Sequence, residues 1–466
     1  IGAGTAVSSP PSNMQADALQ TGTAPGRGLR SAMDRYRSAA VMAASRLAAV
    51  ATQFAVQAAV GALGGASALG LLQLFQSWSS IGGEVAARGL PTRMMRDSAV
   101  DFANGNIACL QQRLRHCTRV IASSWIAAIA LIAAVMTVLY ALDLDTGDSK
   151  SLLYTLCAAL LAAPLFALLR LTADTLKAMD AATPAVLVES LVVPGALLAS
   201  AAALWLSGQP MTTTALLAAG VAGYLAAPTA MAWLIRRRAK QSTHVSNTET
   251  ANGPIDRKDG NILWASSLLS VAFLHLPFMV LPFFATAADI GVYAVANKLM
   301  GIVTMLLLLL AAVFGPAFAR DAALGGGRLK QLLQRSQLYS CIVYLPLAAA
   351  LVLAHPLLAL LFNVPPQELQ MMLLVLGAGH LVNAVTGLSG VLLNMAGAAR
   401  LELAATAAAT AIALVASPLV GAAHGHVGLA VLFSVAIIVK NLLSFSLATH
   451  YLQRTTQPGT CNHETA

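Results

Sequence analysis

Charge is scarce in this chain: Asp, Glu, Lys and Arg make up 10% of its 466 residues, against 58% for the hydrophobic types. No soluble core encloses that much apolar surface, so the shortage of charge excludes an ordinary water-soluble domain and makes the bilayer the solvent. Cysteine is scarce too. Cys109, Cys117, Cys157, Cys341 and Cys461 fall in apolar stretches or on the side assigned below to the cytoplasm, so neither a disulfide framework nor a metal cluster is expected. A phosphate-binding Gly-rich loop is missing, which leaves ion gradients or the substrate's own gradient as energy sources. The formal charge of +9 has no aromatic-lined basic patch behind it, and no nucleic-acid partner is expected.

What the chain does have is apolar length, with a mean hydropathy of +0.73. Against a hydrocarbon core roughly 30 Å thick, windows of about 20 residues place spans at 38–60, 64–83, 119–142, 151–172, 181–206 and 211–235. Six more fall at 262–285, 289–316, 338–361, 369–395, 401–422 and 427–452. The cations test this assignment, because Lys and Arg collect in cytoplasmic loops. Of the 28 Lys and Arg residues, 24 lie in alternate segments, Lys150 alone lies on the opposite side, and Arg46, Lys298 and Lys440 lie inside spans. Both termini are therefore expected in the cytoplasm.

Sliding the first half by 221 residues lays its spans over those of the second, with Ala62 to Leu74 meeting Phe283 to Val295 and Gly70 falling on Gly291. Six crossings return the chain to its starting side. The expected fold is thus an all-α polytopic membrane protein with 12 transmembrane helices in two six-helix lobes, related by pseudo-two-fold symmetry about the membrane normal. The domains read as a flexible tail (1–37), an N-lobe (38–235), a basic cytoplasmic linker (236–261), a C-lobe (262–452) and a C-terminal tail (453–466). The outer connections are only a few residues long. They leave no room for a catalytic site, so no enzyme is expected.

Ionisable groups inside a membrane are costly and mark candidate sites. Arg46, Lys298 and Lys440 are candidates for a cationic cavity that attracts a pyrophosphate. The alternative is that Arg46 snorkels to the surface and the lysines pair with carbonyls or with Glu189. Glu189, the deep carboxylate, could exchange H⁺ or Na⁺, or could neutralise a lysine; no other cofactor is implied. Gln53, Gln57, Gln73, Asn297 and Asn441 could line a hydrated cavity and bond sugar hydroxyls, or act as packing glue between helices. Gln76, Asn383 and Asn394 share that ambiguity. Glu84 and Glu402 read as partners in interfacial salt bridges, and His424 and His426 as a wet outer turn with no carboxylate near them in sequence. Pro277 and Pro282 mark the seventh span as a bending element.

Asp289-Ile290-Gly291-Val292-Tyr293 opens a helix after a Pro-bearing span, and Pro316-Ala317-Phe318-Ala319-Arg320 closes it. Leu392-Leu393-Asn394-Met395-Ala396-Gly397 ends the tenth span, and Gly425-His426-Val427-Gly428-Leu429-Ala430 enters the twelfth. In order and spacing, over residues 38–452, these resemble the polysaccharide (Wzx-like) flippases of the multidrug/oligosaccharidyl-lipid/polysaccharide (MOP) exporter superfamily. The resemblance implies alternating-access transfer of a polyprenyl-pyrophosphate-linked oligosaccharide repeat unit to the periplasmic leaflet of a bacterial inner membrane, for exopolysaccharide, capsule or O-antigen synthesis. It implies as partners the lipid-linked oligosaccharide, membrane lipids and other glycan-assembly proteins, and it carries Lys298 over as a cavity residue. The alternatives are a cation-coupled multidrug exporter of the same superfamily and, in another class, a polysaccharide polymerase or ligase.

The topology is checked by single cysteines and an impermeant maleimide. Residues at 207–210 and 423–426 are expected to label from outside and residues at 236–261 only after permeabilisation; the reverse pattern would invert the assignment.

Overall fold

The computed structural model describes residues 25–141, 150–241, 257–324 and 327–455, and every regular element among them is helical. In the first helix, α1 (Pro25–Ala87), the side chains before Ala48, including that of Arg46, lie outside the described residues, as do residues 1–24 of the predicted tail and 242–256 of the predicted linker. The chain divides into two compact units, 1–48 and 49–466. In the first, residues from Pro25 onward are already helical. The second holds the rest of α1 and every later helix.

Those later helices are α2 (Leu90–Ala103), α3 (Ile107–Ala141), α4 (Lys150–Ala178), α5 (Ala182–Leu206), α6 (Thr213–Gln241) and α7 (Arg257–Val280). Then come a 3₁₀ turn at Leu281–Phe283, α8 (Ala287–Ala323), α9 (Leu329–Leu353), α10 (His355–Phe362), α11 (Pro366–Thr386), α12 (Ser389–Met395) and α13 (Ala399–Thr455). Nine helices are long and apolar enough to cross a membrane among the described residues, and Ser267–Phe283 is a shorter apolar segment. Two of the nine are double. Gly65 (φ 67°, ψ −169°) breaks α1, and Gly425 (φ 58°, ψ −150°) breaks α13, each in a backbone region that only glycine enters freely. Counted by crossings, the described residues give twelve segments, the predicted number.

The duplication is visible in the helix bounds. Adding 221 to Ile107–Ala141 gives 328–362, which α9 and α10 occupy; the same shift carries the break at Gly65 onto Thr286, where α8 is capped. The halves differ in detail. The first half breaks its helix after the second span, at Arg88 (φ 49°) and Gly89 (φ 71°), giving the separate helix α2, whereas α8 runs on to Ala323. Packing follows the same division, with α2 to α6 against one another and α7 to α13 against one another. The basic run Arg236-Arg237-Arg238-Ala239-Lys240 belongs to the last turns of α6, where cations suit the negative end of the helix dipole. Outside the spans, α2 is held to α3 by Arg113, which meets Asp97 at 2.9 Å and Asp101 at 3.2 Å. Burial raises the Asp101 carboxyl above its ordinary value and the Arg113 charge draws it back.

The two lobes meet where the repeat aligns with itself. A Cβ on Gly70 would strike the carbonyl oxygen of Ala287 and come within 2.9 Å of the Gly291 nitrogen. One on Gly291 would strike the carbonyl oxygen of Ala66 and come within 3.1 Å of the Gly70 nitrogen. Ala66 and Gly70 shifted by 221 are Ala287 and Gly291, so the contact is reciprocal, as at an isologous interface on a two-fold axis. Both sides of it are small-xxx-small motifs that let helix backbones touch.

Side chains extend this seam along α1 and α7. Pro282 has no N–H to offer the Phe278 carbonyl four residues earlier, and the Trp78 indole donates to that carbonyl instead, at 3.0 Å. Gln73 donates to Ser77, whose hydroxyl shares a hydrogen bond with His275 at 3.0 Å. At the far end, Trp264 donates to the Glu84 carbonyl, one of the acceptors orphaned at a helix terminus, and Ser267 donates to the Glu84 carboxylate at 2.6 Å. Glu84 is 6% exposed and makes no ion pair among the described residues, so the salt bridge expected of it is replaced by a neutral donor from the other lobe.

Gly70→Val and Gly291→Val are each expected to destabilise the protein by about 1–3 kcal/mol through overpacking. Gly301→Ala, whose methyl meets nothing within 4 Å, is expected to be neutral or stabilising. Thermal unfolding of the detergent-purified chain distinguishes them, and three equal effects would remove the crossing as the constraint.

Candidate functional site

Helix α8 separates two cavities, and adjacent residues on it face different ones. Asn297 lines the larger cavity, of about 430 Å³, and Lys298 lines a small one of about 10 Å³. Neighbours on a helix point about 100° apart at 3.6 residues per turn, so one short stretch of sequence serves both.

The larger cavity lies within the C-lobe. Its walls come from α7 (Ser270, Phe273), α8 (Tyr293, Asn297), α11 (His380, Asn383), α12 (Asn394) and both arms of α13 (Glu402, Thr406, Phe433, Lys440, Asn441). Lys440 is thus in a cavity, but it is not a free cation: its Nζ lies 2.5 Å from Glu402 Oε1, with the two side chains 21% and 14% exposed. The partner is neither a backbone carbonyl nor Glu189. The contact joins the two arms of α13 across its break at Gly425, from near the start of the first arm to the second. Glu402 is therefore the partner of a cavity lysine and not of the interfacial salt bridge expected of it. Its carboxylate rests against Gly390, where a Cβ would come within 2.6–2.8 Å of the carboxylate atoms.

The amides of the cavity behave differently from one another. Asn441 donates to the Ile437 carbonyl at 2.9 Å, the packing role that an intramembrane amide often takes. Asn297, Asn383 and Asn394 make no side-chain hydrogen bond to the protein among the described residues and face the cavity. Among the lining residues, Asn394 and Ala399 are exposed, at the end that the cation pattern assigns to the cytoplasm.

The small cavity is built by the N-lobe and closed by Lys298. Gln53, Gln57, Gln76 and Pro194 line it with the lysine, and its volume suits about one water molecule. Gln57 is 5% exposed, and its Oε1 is buried without a hydrogen-bond partner. Lys298 makes no ion pair among the described residues. A basic side chain and an unpaired amide oxygen thus share one narrow space, which costs free energy unless something polar enters.

Of the other predicted positions, Gln73 lines neither cavity and instead joins the Ser77–His275 link between lobes. Glu189 also lies outside both. It sits in the first turns of α5 and meets Lys177 Nζ at 3.1 Å, and that ammonium also meets Asp174 at 3.1 Å. The neutralising option read from the sequence is the contact seen, with Lys177 as the lysine. Sequence reasoning left the Glu402–Lys440 pair unread; its signal was opposite charges on consecutive antiparallel spans. At the outer turn, His426 Nδ1 is 3.7 Å from Asp289, the residue whose carboxylate completes the capping box with Thr286 at the start of α8. The carboxylate absent from the local sequence is supplied from the other end of the lobe.

No protein-family model and no curated protein sequence matches the chain. Solved structures do. An inward-facing multidrug resistance MATE family transporter of the MOP superfamily superposes with a TM-score of 0.69 at 13% identity, over 88% of this chain and 96% of the other. An outward-facing MATE family transporter of the same superfamily gives 0.53 at 14% identity, over 89% and 94%. A MOP superfamily transporter from Pyrococcus furiosus gives 0.59 at 14% identity, over 90% and 96%. The chain therefore has the fold of the MOP superfamily transporters, a multi-pass membrane fold.

Lys440→Met is expected to strand the Glu402 charge and destabilise the protein by about 3 kcal/mol, whereas Lys440→Met with Glu402→Gln recovers most of that loss. Thermal unfolding of both variants checks this, and equal losses would mean that the pair is not coupled.

Proposed function

We propose that this protein is an alternating-access exporter whose cargo is a polyprenyl-pyrophosphate-linked oligosaccharide, carried from the cytoplasmic to the outer leaflet for polysaccharide synthesis. The observation that carries the reading is Lys298: a partly buried ammonium without a carboxylate partner among the described residues, at the junction of the lobes, facing amides that can share a phosphate's oxygens. An anion is the chemistry that such a site lacks. As the site stands only about one water fits, so the pyrophosphate gains this contact as the lobes separate around it.

The better superposition on an inward-facing structure than on an outward-facing one agrees with the exposure of Asn394 and Ala399 at the end assigned to the cytoplasm, where a lipid-linked precursor is built. The Pyrococcus furiosus neighbour is described as having a binding pocket of reversed polarity that suggests a different function, so pocket charge is a variable on which cargo depends within this fold. Arg46, read from the sequence alone as a second cation inside the first span, is part of the same proposal. Glu189, tied to Lys177 and Asp174 away from both cavities, belongs to the N-lobe scaffold.

A cation-coupled multidrug exporter is the second reading, favoured by the neighbours' descriptions and by a carboxylate, Glu402, in the larger cavity. Lys440 offsets that charge, which removes the counter-charge a cationic drug needs.

The test is ATP-independent translocation of a fluorescent polyprenyl-pyrophosphate oligosaccharide in proteoliposomes. Wild type is expected to transport, Lys298→Ala to lose at least about tenfold, and Lys298→Arg to retain most activity, since a charged hydrogen bond contributes about 1.5–3 kcal/mol. A folded wild type that moves no lipid-linked glycan but expels a lipophilic cation down an imposed H⁺ or Na⁺ gradient would establish the second reading.

A further inference from the structure

The large C-lobe cavity differs in chemistry from the Lys298 site, and the difference identifies what it would hold. Its one lysine and its one carboxylate are paired at 2.5 Å, so it presents little net charge to a ligand of either sign. What remains is neutral and directional. Asn297, Asn383 and Asn394 each offer an unengaged amide, with a donor and an acceptor held in one plane. Phe273 and Phe433 add flat apolar faces. Planar amides that match pairs of adjacent hydroxyls, next to rings that match the C–H face of a pyranose, are the complement of a carbohydrate. A volume of about 430 Å³ lies within the range of small-ligand pockets, roughly 300–1,000 Å³.

We propose that the C-lobe cavity is a saccharide subsite selective for neutral sugars, and that the Glu402–Lys440 pair sets this selectivity by cancelling its own charge. The subsite deepens the exporter reading and rests on it for its biological cargo, since it divides recognition between a phosphate site at Lys298 and a glycan site in the C-lobe. The binding chemistry stands on the cavity alone. Removing the carboxylate while keeping the lysine converts a neutral pocket into a cationic one and changes which sugar it prefers.

The experiment measures binding of soluble disaccharides to the full chain in nanodiscs by saturation-transfer NMR and competition, without any transport step. The probes are a panel of neutral hexose disaccharides including cellobiose, together with cellobiouronic acid, which has the cellobiose skeleton plus one carboxylate. Wild type is expected to bind a neutral member of the panel and to prefer cellobiose over its acid. Asn383→Leu and Asn297→Leu are each expected to weaken that binding about tenfold, while Gly301→Ala, whose methyl meets nothing within 4 Å, leaves it unchanged. Glu402→Gln is expected to reverse the preference toward the acid, an effect that fades in high salt as a charge effect should. Absence of binding by the whole panel, indifference to the asparagine variants, or an unchanged preference in a folded Glu402→Gln variant would each overturn the subsite. A failure of lipid-linked glycan transport with saccharide binding intact would instead overturn the exporter reading.

Discussion

Two helix backbones in direct contact, without side chains between them, are the constraint on which the other features depend. Gly70 and Gly291 permit it, and Ala66 and Ala287 receive it through their carbonyls. Because each partner is the 221-residue image of the other, the crossing lies on the relation between the repeats, and a substituent on either side pushes the lobes apart at their axis. The side-chain links of Trp78, Ser77 and Glu84 follow the same seam. So does the placement of α8, whose start is pinned at this point by the Thr286–Asp289 capping box and whose next turns carry Asn297 and Lys298 into separate cavities.

Two lysines of similar depth thereby acquire opposite roles. Lys440 has a carboxylate within contact distance, and Lys298 has glutamine amides and a narrow cavity. In a low-dielectric interior the presence or absence of one counter-charge outweighs depth in deciding what a cation can do. The amides divide in the same way, since Asn441 and Gln73 hydrogen-bond within the protein while Asn297 and Asn383 face open space. Proline marks a further division: Pro282 frees the Phe278 carbonyl, and what keeps that carbonyl satisfied is a tryptophan two hundred residues earlier in the chain.

Much of the architecture was legible in the sequence because it follows from local quantities. A span needs about 20 apolar residues and a duplication is a fixed offset; both were readable, and the spans and the offset recur in the helix bounds. The boundaries moved where helix continued past the apolar run, as at Arg236 to Lys240 in α6 and between Pro25 and residue 38 in α1. Polar residues still favour helix once a buried segment has nucleated it.

By itself, then, the sequence determined that this is a helical membrane protein of twelve crossings in two repeats, with basic residues at depth. Those properties depend on each segment's own hydropathy and charge. Only the tertiary structure decided that Glu402 faces Lys440, that Lys298 faces Gln53, Gln57 and Gln76 of the other lobe, and that the asparagines converge on one cavity. Partnership between side chains far apart in the chain depends on the rotation of each helix about its axis. That rotation is set by packing at contacts such as Gly70 on Gly291, where a single Cβ would change which faces meet.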